Sequence, residues 1–173
     1  MVSKTGQIRP KILCVSGPNL QLLGTREPEK YGQTTYKDLT SLLQERAEEL
    51  GVKLVSKQSN SEEKLVTWVG EAGRDGYSGV LLNPGGYTHT SVALLDAVLA
   101  CGVPVIEVHL TQTQARESFR HVSYVSQGAF ASVSGFGVRS YVLALEGLYA
   151  QVSASKSAPL RGKTRAIPKR RTL

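Results

Sequence analysis

"TYKDLTSLLQERAEELGVKLVSK", residues 35–57, decides the fold, because it holds one complete passage from helix to strand. Apolar residues recur at Tyr36, Leu39, Leu42, Leu43, Ala47 and Leu50, in steps of three and four that keep them on one helical stripe. Thr35 and Asp38 have capping-box spacing, and Gly51 supplies the stop. The period then changes, and "VKLVSK" at 52–57 reads as a strand.

The same alternation extends in both directions. "ILCVS" at 12–16 is a first strand. Downstream, Ser61 caps a helix whose first turn holds Glu62 and Glu63 at the positive end of the dipole, and Gly73 and Gly76 end it. "GVLLN" at 79–83 is a third strand. "TSVALLDAVLACG" at 90–102 is a helix with a Thr or Ser start and a Gly stop, and Pro104 opens a fourth strand, "VIEVH", at 105–109. A helical turn around 115–119, a fifth strand near 129–133 and a helix from about 138 to 152 complete the chain. Strands nearly continuous in apolar residues, alternating with helices, predict an α/β, three-layer, flavodoxin-like doubly wound five-stranded parallel sheet of order 2-1-3-4-5.

The chain has 173 residues and a net charge of +7, enough for one domain with a real core. The charge sits at the ends. Residues 154–173 hold seven basic and no acidic residues, and Lys4, Arg9 and Lys11 add three, which leaves 11 basic against 14 acidic residues at 12–153. We therefore divide the chain into an N-terminal extension (1–11), a catalytic domain (12–153) and a basic tail (154–173) whose composition predicts disorder. No aromatic residue interleaves the tail's charges, so a nucleic-acid partner is disfavoured against a solubilising extension. Cys14 and Cys101 lie in apolar runs and read as small buried hydrophobes of a reducing compartment. With no signal-peptide or membrane-span pattern, the expected location is cytoplasmic.

Function is read from the carboxyl ends of the strands, where an open α/β sheet has its crevice. Asn19 follows strand one and Asn60 strand two. "NPGGYTHTS", with Asn83, Gly85, Gly86 and His89, follows strand three, and His109, Leu110 and Thr111 end strand four. Amides, hydroxyls and histidines, with glycines that admit a ligand to the backbone, describe a site for a small polyhydroxylated or carboxylated molecule. Glu107 and His109 are two apart on one strand and point to the same side, so the carboxylate can hold one ring nitrogen and leave the other to act as acid or base. His89 reads equally as a helix-start cap and as a ligand contact. No GxGxxG, GxxxxGK[ST] or GxSxG motif and no metal-ligand spacing is present, so no cofactor and no metal are expected. "GTREPEKYG" at 24–32, bracketed by glycines and stiffened by Pro28, reads either as an ordinary polar connection or as a mobile flap that carries chemistry.

In this order and spacing, "GPNLQLLGTREPEKYG", "QSN", "NPGGYTHTSVAL" and "EVHLTQTQARESFRHVSY" closely resemble the type II 3-dehydroquinate dehydratases, over roughly 12–149. The resemblance implies a cofactor-free hydro-lyase of the shikimate pathway of aromatic amino acid biosynthesis, or of the quinate pathway. It converts 3-dehydroquinate to 3-dehydroshikimate by anti elimination through an enolate. It implies Tyr31 as the base for the C2 proton, Arg26 as its activator, His109 oriented by Glu107 as the acid for the departing C1 hydroxyl, and Asn19 as the enolate's stabiliser. Asn83, Gly85, Gly86, His89, Leu110, Thr111 and Arg120 match substrate-holding positions. Asp96 matches a residue that reaches a neighbouring subunit's site in a dodecamer, a tetramer of trimers. Bringing a phenol from its ordinary pKa near 10 to near 7 takes roughly 4 kcal/mol, which a desolvated arginine can supply. Gln21, and Thr111 with Gln112, depart from the family's commoner "GPNLNLLG" and "HLSN". A non-catalytic oligomeric binding protein of the same fold is the alternative, disfavoured because Arg26, Tyr31, Asn83, His89, Glu107, His109 and Arg120 are all present.

Overall fold

Alternate residues of the first four strands enter two different apolar clusters, and this fixes the layers. The computed structural model describes residues 9–25 and 34–157. Strands β1 (Lys11–Ser16), β2 (Lys53–Gln58), β3 (Gly79–Asn83), β4 (Val105–His109) and β5 (Ala131–Ser134) form one sheet of order β2-β1-β3-β4-β5, parallel throughout. Ile12, Cys14, Leu81, Ile106 and Val108 face a layer made by α1 (Tyr36–Glu49) and α4 (Arg139–Ser157). Leu13, Val15, Val80, Leu82 and Val105 face the opposite layer, made by α2 (Glu62–Gly70) and α3 (Val92–Ala100). Burial on both sides is why β3 is apolar at every position up to Asn83, while β2 at the sheet edge tolerates Lys53 and Lys57.

The helix boundaries follow from side-chain chemistry. Thr35 and Asp38 make a reciprocal capping box: Asp38 N–H donates to Thr35 Oγ1 at 3.1 Å, and Thr35 N–H to Asp38 Oδ2 at 3.0 Å. Leu39, Leu43 and Ala47 are the buried stripe of α1, and Gly51 leaves it at φ 69°. Ser61 caps α2 as expected. Ser91, not Thr90, caps α3, accepting the Leu94 N–H at 2.9 Å.

Besides one-residue shifts in β1, which begins at Lys11, and β2, which runs Lys53–Gln58, four boundaries differ from the sequence expectation. The α2 helix stops at Gly70, short of Gly73, and Gly73 serves close approach instead, since a Cβ there would lie 2.4 Å from the Cys101 carbonyl oxygen. The turn expected at 115–119 is two 3₁₀ turns, Thr113–Ala115 and Ser118–Arg120. The fifth strand is displaced to Ala131–Ser134, because register with β4 begins at Ile106 opposite Ala131. The last helix continues to Ser157, past 152 and into the segment assigned to the tail; local apolar periodicity marked only where its packing ends. Cys14 and Cys101 are both buried free thiols, as read from the sequence.

Because the sheet is parallel, every strand delivers its carboxyl end to one rim. Ser16 lies level with Gln58 and Asn83, and His109 level with Ser134. The loops after β1 and β3 touch backbone to backbone. Gly17 N–H donates to the Asn83 carbonyl at 2.8 Å, and a Cβ on Gly17 would lie 2.5 Å from the Pro84 carbonyl oxygen.

Candidate active site

A cavity of about 180 Å³ opens at this rim. Its walls come from the loop after β1 (Pro18, Asn19, Leu20, Leu22, Leu23), the loop after β3 (Asn83, Gly85, Gly86, His89), the end of β4 (His109, Leu110, Thr111) and the following turns (Thr113, Arg116, Arg120). Every expected site residue among those described lines it, apart from Glu107 and Asp96. Its polar side chains are two amides, two imidazoles, two guanidiniums and the hydroxyls of Thr111 and Thr113, beside apolar leucines. That combination suits a small anion carrying hydroxyl groups.

The two histidines are presented differently. His109 Nε2 lies 2.7 Å from Glu107 Oε1, and the Glu107 side chain is 1% exposed. The carboxylate accepts, so Nε2 carries the proton and Nδ1 is left for the cavity. Ser123 Oγ sits 2.9 and 3.0 Å from the two Glu107 oxygens. His89 Nδ1 lies 2.7 Å from the Val122 carbonyl, which can only accept, so Nδ1 is protonated and Nε2 remains for a ligand. His89 lines the cavity, and the helix-start cap is Ser91.

Asn19 is held in the left-handed region at φ 68°, ψ −1°, a conformation asparagine tolerates better than most residues. Its backbone N–H donates to Asn60 Oδ1 at 3.0 Å. Asn60 thus supports the β1 loop and does not line the cavity, which refines its place among the rim amides. Gln58 Nε2 donates to the same Asn60 Oδ1 at 3.1 Å and to Gln21 Oε1 at 2.9 Å, while the Tyr87 hydroxyl donates to the Asn60 carbonyl at 2.8 Å. The unusual Gln21 is therefore tied to the edge strand. Gln112 is likewise engaged, accepting from Ser134 Oγ at 3.3 Å.

Asn83 is buried, and its Oδ1 accepts the Gly85 N–H at 3.1 Å, which orients the amide. Under it, the Tyr141 hydroxyl hydrogen-bonds to Ser16 Oγ at 3.4 Å and interacts with the Asn83 side chain. Burial pushes the Tyr141 hydroxyl well above the ordinary phenol range, so it is a neutral group at any working pH. Glu117 carries the arginine wall: its Oε2 lies 2.9 Å from Arg120 Nε and 3.5 Å from Arg116 Nε. Hydrogen bonding from its own backbone, then from Arg120, holds the Glu117 carboxyl below the usual carboxylate range.

Comparison of the sequence and the fold with known proteins points to one family. The family model described as "Dehydroquinase class II" matches residues 10–149. The chain belongs to the class II dehydroquinase family. It is 49% identical over 147 residues to "3-dehydroquinate dehydratase 1" of Bradyrhizobium diazoefficiens, covering 85% of this chain and 95% of that one. Among solved structures, the type II dehydroquinase of Propionibacterium acnes superposes with a TM-score of 0.79 at 40% identity, covering 83% of this chain and 99% of the other. That of Butyrivibrio crossotus does so with a TM-score of 0.79 at 35% identity, covering 81% and 97%. The flavodoxin-like fold is that of these class II dehydroquinases.

For a class II dehydroquinase the expected residues divide into three groups. Asn19, Asn83, Gly85, Gly86, His89, His109, Leu110, Thr111 and Arg120 converge on one cavity, with Glu107 directly behind His109. Asp96 is exposed on α3 and does not line this chain's cavity. Arg26 and Tyr31, with most of the 24–32 segment, lie outside the described residues. Sequence reading passed over Arg116 and Ser123. Both stand in the quoted motif "QARESFRHVSY", but only the fold brings one to the cavity wall and the other under Glu107.

Proposed function

We propose that this protein dehydrates 3-dehydroquinate to 3-dehydroshikimate without metal or cofactor, by anti elimination through an enolate. The observation that carries the reading is His109 anchored on a buried carboxylate and opening onto a cavity walled by Asn83, His89 and Arg120. Tyr31, activated by Arg26, takes the proton from C2, and its electron pair moves into the C2–C3 bond as the ketone becomes an enolate. Asn19 stabilises that charge. The enolate then re-forms the ketone as its C2–C3 electron pair moves to make the C1–C2 double bond and expels the C1 hydroxyl, which takes the Nδ1 proton of a doubly protonated His109, still held on Glu107 through Nε2–H, and leaves as water. Asn83, His89, Arg120 and the backbone at Gly85, Gly86, Leu110 and Thr111 hold the substrate's carboxylate and hydroxyls. The reaction serves the shikimate or the quinate route, in the cytoplasm.

Oligomerisation belongs to the same reading. The α3 helix is apolar on both sides: Leu94, Ala97 and Val98 enter the core, while Val92 and Leu99 are 54% and 64% exposed. An outer apolar face beside Asp96 supports a homo-oligomer in which Asp96 reaches a neighbour's cavity.

The test is the rise of enone absorbance when 3-dehydroquinate is added to metal-free protein, with borohydride trapping no imine. Tyr31→Phe should lose at least about a hundredfold in kcat, within the ordinary range for a general base. Full activity in that variant would refute the assigned base, and a wild-type protein inert toward 3-dehydroquinate would refute the activity.

A further inference from the structure

Both histidines of the cavity are held from one three-residue segment, 122–124. The Val122 carbonyl fixes His89 through Nδ1 at 2.7 Å. Ser123 Oγ holds both oxygens of Glu107, which in turn holds His109 Nε2. Tyr124 N–H donates to the carbonyl of Thr88, the neighbour of His89, at 2.9 Å and pins the segment in place.

The Ser123 hydroxyl has one proton, and its direction is determined. Ser126 N–H donates to Ser123 Oγ at 2.9 Å, occupying a lone pair, and Ser126 Oγ donates to the Ser123 carbonyl at 3.1 Å. The proton is left for the carboxylate, which can only accept it. A glutamate's terminal torsion is broad and roughly two-fold, so a buried carboxylate held only through its histidine would rock about that bond. Contact with both oxygens removes this freedom and keeps Oε1 aimed at the imidazole.

We propose that Ser123 is a positioning residue for the dehydration: by fixing Glu107 it sets the tautomer and orientation of His109, from the segment that also sets those of His89. The kinetic part rests on the dehydratase reading above; the geometric part does not. Ser123 does not line the cavity and acts only through Glu107.

The test compares Ser123→Ala and Ser123→Cys, a shape-preserving change with a weak donor, with Ser123→Thr, which keeps the hydroxyl. Losing one hydrogen bond to a charged group should lower kcat about tenfold, with KM changed less than about twofold, in the alanine and cysteine proteins. The threonine protein should stay within about threefold of wild type. Independently of turnover, nitrogen NMR of labelled histidine, recorded where the His109 ring is neutral, should show the Nε2–H tautomer in the wild-type and threonine proteins, and a tautomer mixture in the other two. Wild-type kcat with an unchanged His109 signature in the alanine or cysteine protein would overturn the proposal, as would a threonine protein as impaired as alanine. If wild type fails to dehydrate 3-dehydroquinate while the NMR contrast holds, the activity is wrong and the positioning stands.

Discussion

Tyr141 is the residue whose importance is least visible in the sequence, where it is one aromatic among the apolar positions of the last helix. In the fold it is 1% exposed, and its hydroxyl reaches Ser16 and the Asn83 side chain from beneath the cavity. Tyr141→Phe should cost about 1 kcal/mol of unfolding free energy in urea titration and should raise KM, since Asn83 loses a support and a buried polar atom loses its partner. An unchanged KM would show that the Gly85 N–H alone is enough to orient Asn83. Cys14 is the opposite case, fully legible from its apolar run: burial pushes its thiol up to about 12, so it stays a protonated, inert hydrophobe near neutral pH. His109 lay between. "IEVH" places Glu107 and His109 on one side of a strand, but the ring nitrogen left for chemistry follows only from which one the carboxylate occupies.

At the scale of elements, the capping box of α1 gives a pH-dependent prediction. The Asp38 carboxyl is held below its ordinary value by hydrogen bonds from the Thr35 side chain and then the Thr35 backbone. A carboxyl whose folded pKa is depressed stabilises the fold above its unfolded pKa, and that contribution disappears as pH falls through the folded value. Asp38→Asn should therefore lower the melting temperature at neutral pH, and the gap from wild type should close on acidification below about pH 4. A gap that persists in acid would mean that the loss is not electrostatic. Thr35 and Asp38 announced this helix start, and "GVLLN" and "VIEVH" announced their strands to the residue, because capping and two-sided burial are written in local chemistry. The ends of α2 and α4 and the displacement of β5 were not: Gly73 answers to a distant contact, the Cys101 carbonyl, and not to the helix end, α4 runs on past Val152 where its core packing stops, and β5 follows the register of Ala131 opposite Ile106.

For the whole molecule, the outward face of α3 predicts assembly. Leu99→Glu should break the proposed dodecamer into smaller species by light scattering and lower activity, if Asp96 completes a neighbouring cavity. A wild-type protein that runs as a monomer would remove the oligomer, and with it the role of Asp96. The sequence by itself determined the alternation of helix and strand, the two-sided burial of a parallel sheet, and the family, because period, capping and motif spacing are properties of neighbouring residues. It also determined which loops carry polar chemistry. Only the tertiary structure decided which of those residues share a cavity: it drew in Arg116, set Asn60 behind Asn19, and stacked Ser123 under Glu107 and Tyr141 under Asn83. The physical reason is that a hydrogen bond needs its partners within about 3.5 Å, and residues 16 or 125 positions apart reach that distance only once the sheet has set its order and register.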